Sequence, residues 1–553
     1  MTGQERRARE LRALAEPFDL IVVGGGVNGC GTAWDAALRG LRVLLVERDD
    51  LGSGSSSWSS RLIHGGLKYL EKLDVKLVRE SLREREWLLG AAPHLVHPLR
   101  MVMPAYRGAH HGPAALWAGM IAYDVLSWDK SVPRHQVWSR ARTLRSVPGL
   151  EREGLLGAAT YFDAQAELAE RLCVEVAVAA RAQGATILTH ASVDGLEVRA
   201  GRIRGVTVTD GLTGETHRAQ APVVLNMAGP WVDQVLERGA VGHEQLIGGT
   251  KGSHFVLDAF PGAPSDALYY EGADGRPMML MPWQGQLLIG STDERFDGDL
   301  DTIGPSREEV EYVLRETNRV VPGARLTAED LRWGYTGVRP LPHSPDGDVG
   351  DITRRHAFHE HPGAAGLVSL VGGKLTTFRQ VGEEAAGLAL TRLGRTGRRS
   401  ATRRLRLPGA GAWSVDAFAE AFVASAGLPE PLARRLAGLY GTRAPEVAER
   451  VGGPGGGEVV DEATGLTAGE IAFALEAELA VSLTDVLARR TMTGIGPTLP
   501  EASVERAARV AARVDGWSDE RAERELATFT GRLARFSVPP AGAPATTREE
   551  IRA

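Results

Sequence analysis

The sequence predicts an α/β plus α chain: a discontinuous Rossmann-like dinucleotide-binding domain, an antiparallel β-sheet cap inserted into it, and a helical C-terminal domain. Three observations carry that prediction. A glycine-rich turn near the N-terminus lies between a strand and a helix, a second glycine-rich turn follows a strand at residues 367–371, and past Pro408 the composition shifts to Ala, Glu, Arg and Leu at helical spacing. At 553 residues and 59.2 kDa the chain exceeds one ordinary core, so two or three domains are expected.

Residues 1–16 are charged and helix-prone without an apolar signal core, so export is not expected. Residues 18–23 form a short apolar run, Gly24, Gly26 and Gly29 follow at the spacing G-x-G-x-x-G, and residues 30–39 read as a helix. Gly24 permits the tight turn. Gly26 lets backbone N–H groups approach a pyrophosphate, and Gly29 lets helix and strand pack closely, leaving the phosphates at the positive end of the helix. Residues 42–46 form the next strand, which Glu47 ends. An acidic side chain there accepts hydrogen bonds from ribose hydroxyls and repels a 2′-phosphate, which disfavours NADP.

Strand signals return at 186–189, 203–208 and 223–227, read as further parts of the nucleotide domain; the last runs into Ala228-Gly229-Pro230-Trp231, where backbone can again approach a cofactor. Residues 254–257, 278–281 and 287–291 are short apolar strands separated by Gly, Pro and Asp turns, which predicts an antiparallel substrate cap. Residues 367–371 read as a buried parallel strand ending in Gly372-Gly373-Lys374, with a helix over 376–393 aimed at a ligand. Helical periodicity then runs to Phe536 with a break at 454–457, and 539–553 have the composition of a disordered tail. The expected division is 17–97, 155–231 and 333–395 for the nucleotide-binding domain, 98–154 for a cap or membrane-facing segment, 232–332 for the substrate cap and 405–538 for the helical domain.

A net charge of -6 and a pI near 6.2 provide no basic field for nucleic acid, the Arg-dense stretch 392–406 being a local exception. Cys30 and Cys173 are the only cysteines, which fits a reducing cytoplasm and indicates neither a disulfide framework nor a thiolate metal site. His110, His111, His356, His359 and His361 lack acidic or Cys companions at ligand spacing, so no metal is expected. No apolar run reaches the length of a membrane span. Residues 115–128, with Leu116, Trp117, Met120, Ile121, Tyr123, Val125 and Trp128, instead suit a segment lying at a membrane surface.

Further motifs narrow the class. After Glu47 a Ser-rich segment, residues 55–60, leads into Arg61-Leu62-Ile63-His64-Gly65-Gly66-Leu67-Lys68-Tyr69-Leu70-Glu71. Gly24-Gly25-Gly26-Val27-Asn28-Gly29 precedes it; Gly252-Ser253-His254, Ile289-Gly290-Ser291-Thr292-Asp293, Tyr335-Thr336-Gly337-Val338-Arg339-Pro340-Leu341, Ile352-Thr353-Arg354 and Gly372-Gly373-Lys374-Leu375-Thr376-Thr377-Phe378-Arg379 follow. Over residues 19–379 the chain thereby resembles the FAD-dependent glycerol-3-phosphate dehydrogenases of aerobic glycerol use, and the similarity thins in the helical part. The resemblance implies a flavin domain of the amino-acid-oxidase type and FAD as cofactor. It also implies oxidation of sn-glycerol 3-phosphate to dihydroxyacetone phosphate, a quinone as electron acceptor, and weak peripheral attachment to the inner face of the cell membrane. A homodimer is left open.

In such a reaction a secondary alcohol loses its hydroxyl proton to a base while carbon 2 delivers hydride to flavin N5. Neutral His suits the base, with an unperturbed pKa of about 6.5; His254 is the first candidate and His64, in the flavin loop, the rival. A phosphomonoester needs cations. Arg339 and Arg354 match positions the family uses around the substrate, Arg339 counting also among the catalytic groups, and Lys374 can hold either substrate or the reduced flavin's charge. Lys68 stands before Tyr69 where most members of the family the chain resembles carry Arg, keeping the charge without the bidentate fork. Tyr69 and Asp293 complete the substrate set, Asp293 as a polar anchor in the cap.

The implied cofactor contacts begin with Gly24, Gly26, Asn28, Gly29 and Glu47 in the first turn. Ser57, Ser60, His64, Gly65 and Gly66 follow in the Ser-rich segment and its sequel, then Val193, Ala228 and Gly229. Gly373, Lys374, Leu375 and Thr376 close the set. Two alternatives stay open. One is an O2-using glycerol-3-phosphate oxidase of the same fold, although the long insertion associated with those oxidases is not seen. The other is a non-catalytic flavin-binding membrane scaffold, against which the joint presence of His254, Arg339, Arg354 and Lys374 argues.

Overall fold

The computed structural model describes residues 2–108, 112–411 and 414–539; His110, His111 and the tail from residue 540 onward lie outside them. A six-stranded sheet is built in the order Ala357–Glu360, Leu367–Val371, Val224–Asn226, Leu20–Val23, Val43–Val46 and Thr186–Leu188. All its pairings are parallel except that of Ala357–Glu360. Strands Leu20–Val23 and Val43–Val46 are buried throughout, as parallel strands covered on both faces must be. Leu20 and Val22 face a core shared with helices Val27–Leu38, Ala169–Ala182 and Phe378–Arg392. Two of these helices cross backbone to backbone, since a Cβ on Gly382 would lie 2.6 Å from the carbonyl carbon of Gly31.

Ile21 and Val23 face the opposite core, roofed by helix Val232–Arg238 and a three-stranded antiparallel sheet of Ala191–Arg199, Arg202–Asp210 and Thr216–Gln220. The strand expected at 203–208 therefore covers the nucleotide sheet and is not a member of it. Short connections pair these three strands with one another, and one side of the sheet is left to solvent.

The cap is a ten-stranded sheet, eight strands along one path and two paired off it. Its ladders are antiparallel except where Ala267–Glu271 runs parallel to Val96–Tyr106. Strands Leu155–Ala166 and Leu331–Arg339, assigned from sequence to the nucleotide-domain portions 155–231 and 333–395, belong to this sheet instead. An apolar run names a buried strand but not the sheet that claims it. Here Leu155–Ala166 pairs along the whole of Val96–Tyr106, and Leu331–Arg339 along the whole of Thr250–Leu257. The latter pairing sets Tyr335 opposite His254 and Arg339 opposite Thr250.

The C-terminal domain is helical, with the expected break falling between helix Ala444–Gly452 and a small hairpin, Val459–Asp461 with Leu466–Thr467. A π-helical turn at Val486–Arg490 sets two arginines side by side on Asp50 of the nucleotide domain, Arg489 Nε at 2.6 Å and Arg490 Nη2 at 2.8 Å. Arg171 reaches Glu478 at 2.6 Å, and Arg443 meets the same carboxylate at 2.7 Å. The N-terminal helix Gly3–Ala13 docks here too, its Gly3 N–H donating to Asp515 at 2.7 Å.

Candidate active site

A cavity of about 1520 Å³ is walled by the nucleotide sheet, the Ser-rich loop, the cap and the end of the C-terminal domain. At its nucleotide side the glycines are demanded sterically. Gly24 has φ 108°, and a Cβ on Gly29 would lie 1.9 Å from the Gly24 carbonyl oxygen. Helix Val27–Leu38 starts at Gly26, which supplies no side-chain cap, so its N-terminus opens on the cavity; Ser56 Oγ takes one N–H, that of Val27, at 3.0 Å. Asn28 Oδ1 is buried without a hydrogen-bond partner, and Gly373, with φ 99°, leaves room for the Asn28 amide: a Cβ there would come within 2.6 Å of Nδ2. Glu47 accepts from the Gly25 N–H at 2.5 Å and the Asp49 N–H at 2.8 Å, and burial raises its pKa to about 6. Open helix-end donors, an unpartnered amide oxygen and a carboxylate at the strand end fit an adenine dinucleotide.

Gly66, Val193, Ala228, Gly229, Leu375 and Thr376 line the cavity as expected positions, whereas Gly29, Ser57 and Gly65 turn away from it. Ser57 Oγ donates to the Gly52 carbonyl inside the loop. Gly65 donates its N–H to Asp163 at 3.2 Å, and a Cβ there would lie 2.3 Å from Tyr123 Oη. These three positions serve packing in this structure, because a tight loop over a helix needs small residues and internal acceptors.

On the cap side His254 is buried, its Nε2 2.8 Å from Ser60 Oγ and its ring stacked on Tyr335 at 5.0 Å. Tyr335 Oη donates to the Ser59 carbonyl at 2.8 Å. Nδ1 of His254 is buried and has no hydrogen-bond partner among the described residues. Burial, reinforced by Arg339 and Arg61, lowers the His254 pKa to about 3, so the ring is neutral at physiological pH. His64 is likewise lowered to about 4, by burial and by Lys374.

Asp293 bridges two cations, Arg339 Nη1 at 2.9 Å and Arg354 Nη2 at 2.9 Å. Burial works against its charge, but the two guanidinium groups hold its pKa below the ordinary carboxylate value. Arg339 also donates to Ser291 Oγ at 2.9 Å, while Arg354 Nη1 is buried and unpartnered. Lys374 Nζ sits 4.0 Å over the Tyr69 ring and donates to Ser81 Oγ at 3.3 Å; burial depresses its pKa to about 7. Lys68 and Tyr69 line the same cavity. Sequence reasoning missed Ser291, the stacking role of Tyr335 and the contact of Ser60 with His254; Ser60 itself lines the cavity. Knowing that Tyr335 lies opposite His254 in the ladder would have found the stack.

A dinucleotide cradle sharing one cavity with a neutral histidine and a cationic cluster defines a flavin-type oxidoreductase. The FAD dependent oxidoreductase family model matches residues 19–379, and the model for the C-terminal domain of alpha-glycerophosphate oxidase matches residues 400–522. A glycerol-3-phosphate dehydrogenase of Synechocystis sp. is 43% identical over 550 residues, covering 94% of this chain and 97% of that protein. Another from Mycobacterium leprae is 36% identical, covering 96% and 90%. The X-ray structure of the Bacillus halodurans glycerol-3-phosphate dehydrogenase complexed with FAD is similar at a TM-score of 0.79 and 27% identity, covering 98% of this chain and 100% of that one. The chain belongs to the FAD-dependent glycerol-3-phosphate dehydrogenase family.

Proposed function

We propose that the chain oxidises sn-glycerol 3-phosphate to dihydroxyacetone phosphate and passes the electrons to a membrane quinone. The observation that carries this reading is the Arg339–Asp293–Arg354 bridge on the cavity wall, with a spare Arg354 nitrogen and with Lys374 in its field. Two guanidinium groups and an amine against one carboxylate leave net positive charge for a phosphate dianion. Lys68 adds charge at the same wall without bidentate geometry. FAD, when bound, supplies the hydride acceptor, and Gly24, Gly26, Asn28 and Glu47 are the residues that would hold it.

The His254 imidazole takes the hydroxyl proton. A phosphate dianion beside Arg339 offsets one of the cations that depress this histidine, so the base strengthens as substrate arrives. The same dianion favours the protonated form of Lys374. Anaerobic mixing with glycerol 3-phosphate, glycerol and amino acids tests the substrate: bleaching of the bound flavin by the phosphate ester alone is expected, and equal bleaching by glycerol would reject the phosphate assignment.

Support for the quinone comes from the outer face of helix Pro113–Leu126. Met120 and Tyr123 are buried, while Trp117 is 55%, Val125 64% and the following Trp128 76% exposed. Such a face suits the membrane interface, and no helix among the described residues is long and apolar enough to cross a membrane. The basic stretch contributes less than its composition suggests, since Arg392 is paired with Glu360 and Arg395 with Asp19. Attachment at the cytoplasmic face is therefore weak and dominated by the apolar helix.

A further inference from the structure

The end of the C-terminal domain presents two arginines to the cavity that no carboxylate among the described residues reaches at ion-pair distance, although Glu170 and Asp485 act on Arg532 and Asp301 and Asp49 on Arg535 from further off. Arg532 closes helix Asp519–Arg532 and Arg535 lies in the turn Leu533–Phe536; both line the cavity. Neither forms an ion pair among the described residues, and Arg532 Nη1 and Arg535 Nε are buried without hydrogen-bond partners. Elsewhere Arg61, Arg171, Arg379 and Arg490 each meet a carboxylate at 2.5–2.7 Å. Burial, with Arg489 and Arg535 close by, pushes the Arg532 pKa down to about 9. Mutually repelling, half-buried cations are unfavourable unless an anion offsets them.

The surroundings identify that anion. Both guanidinium groups lie over Trp58, Arg532 at 5.7 Å and Arg535 at 4.8 Å from its ring centre. The Trp58 indole N–H donates to the Ser53 carbonyl at 2.8 Å, and Ser56 of the same loop accepts the Val27 N–H at the start of the nucleotide helix. The cations therefore stand one aromatic ring from the loop that closes the helix N-terminus. That N-terminus offers N–H groups but no side-chain charge, and Arg48, a further cation on this wall, is already held by Asp301 at 2.7 Å. We propose that Arg532 and Arg535 neutralise the diphosphate of FAD, making the C-terminal domain a working part of the cofactor site. FAD then ties the last helix to the Ser-rich loop, and the cavity is complete only with that helix docked.

The test titrates apoprotein with FAD and with ADP, which carries the diphosphate without the flavin, and melts the apoprotein alone. Arg532→Leu combined with Arg535→Leu is expected to raise the dissociation constants of both ligands by about ten-fold or more, and to leave the apoprotein melting temperature unchanged or higher, since the deleted charges repel. Arg535→Lys, which keeps the charge, is expected to stay within a few-fold of wild type. Unchanged affinity for FAD and ADP in the double variant would overturn the proposal. So would a loss of affinity that accompanies a lower apoprotein melting temperature and is not reversed by Arg535→Lys, because that pattern belongs to packing.

Discussion

The seam between the C-terminal and nucleotide domains and the wall of the cavity are both rich in buried arginine, yet they are finished differently. At the seam Asp50 takes Arg489 and Arg490, and Glu478 takes Arg171 and Arg443, so each of these cations has a carboxylate. On the wall Arg339 and Arg354 share Asp293, and among the described residues Arg354 keeps an unpartnered nitrogen and Lys374 has only a hydroxyl and a ring face as its contacts in hydrogen-bond and cation–π range. Paired charge joins two domains at the seam, while the proposed function gives the unpaired charge of the wall a ligand to hold. The reason is energetic: an ion buried without compensation costs several kcal/mol, and evolution tolerates it where binding supplies the compensation.

Charge removal should sharpen that contrast most. Arg339→Leu deletes a proposed phosphate donor while Asp293 keeps Arg354, so kcat/KM for glycerol 3-phosphate should fall by about 10³-fold, mainly through KM, with little change in melting temperature. Arg490→Leu removes one of the cations on Asp50 and should destabilise the fold by about 3 kcal/mol while leaving KM of the surviving folded enzyme intact. Steady-state kinetics and thermal melts on both variants decide it. If the two lost the same property, the division between seam and wall would be wrong.

His254 is the next test. Its ring is neutral and able to take a proton, so His254→Ala should slow flavin reduction at saturating substrate by about 10²-fold with KM nearly unchanged. Stopped-flow traces as fast as wild type would pass the role to His64 or Lys374.

Lys374 separates those roles by the sign of a pH effect. Its pKa is lowered to about 7, so the protonated amine is present below that pH and is lost as pH rises through it. If the ammonium holds an anion, kcat/KM should decline above pH 7, by about ten-fold per pH unit at the limit, and Lys374→Arg should flatten this limb. Phosphate monoesters ionise near pH 6, so the limb above 7 belongs to the protein. A rise of kcat/KM through pH 7 would instead make Lys374 the base.

What the chain reveals of this site follows from which constraints are local. Gly24 and Gly29 are legible because backbone geometry leaves no room for a Cβ, and Arg339, Arg354 and Asp293 because their motifs resemble a family's substrate positions. Ser57 and Gly65 sit in an equally suggestive segment, yet which way a loop residue turns depends on what lies beneath it, here Gly52 and Tyr123. The sheet membership of Leu155–Ala166 depends on pairing with a strand some fifty residues earlier. Arg532 and Arg535 are the least legible, since a polar position on an amphipathic helix reads the same facing water or facing a cavity.

The smallest expected effect concerns the outer helix, where no buried charge is at stake. Trp117 and Ile121 are exposed where Met120 and Tyr123 of the same helix are buried, so Trp117→Ser with Ile121→Ser should leave melting temperature and flavin content unchanged. Each large apolar side chain contributes up to about 1.5–3 kcal/mol when fully removed from water, and interfacial insertion removes only part of it. Partition onto vesicles containing anionic lipid should therefore fall by about five-fold, read by sedimentation at fixed salt. Electron transfer to a membrane-dissolved quinone should drop in parallel, while transfer to a soluble quinone should not. Should wild type remain in the supernatant and reduce O2 as fast as a soluble quinone, the exposed helix is not a membrane face, and the oxidase alternative takes the place of the quinone-linked dehydrogenase.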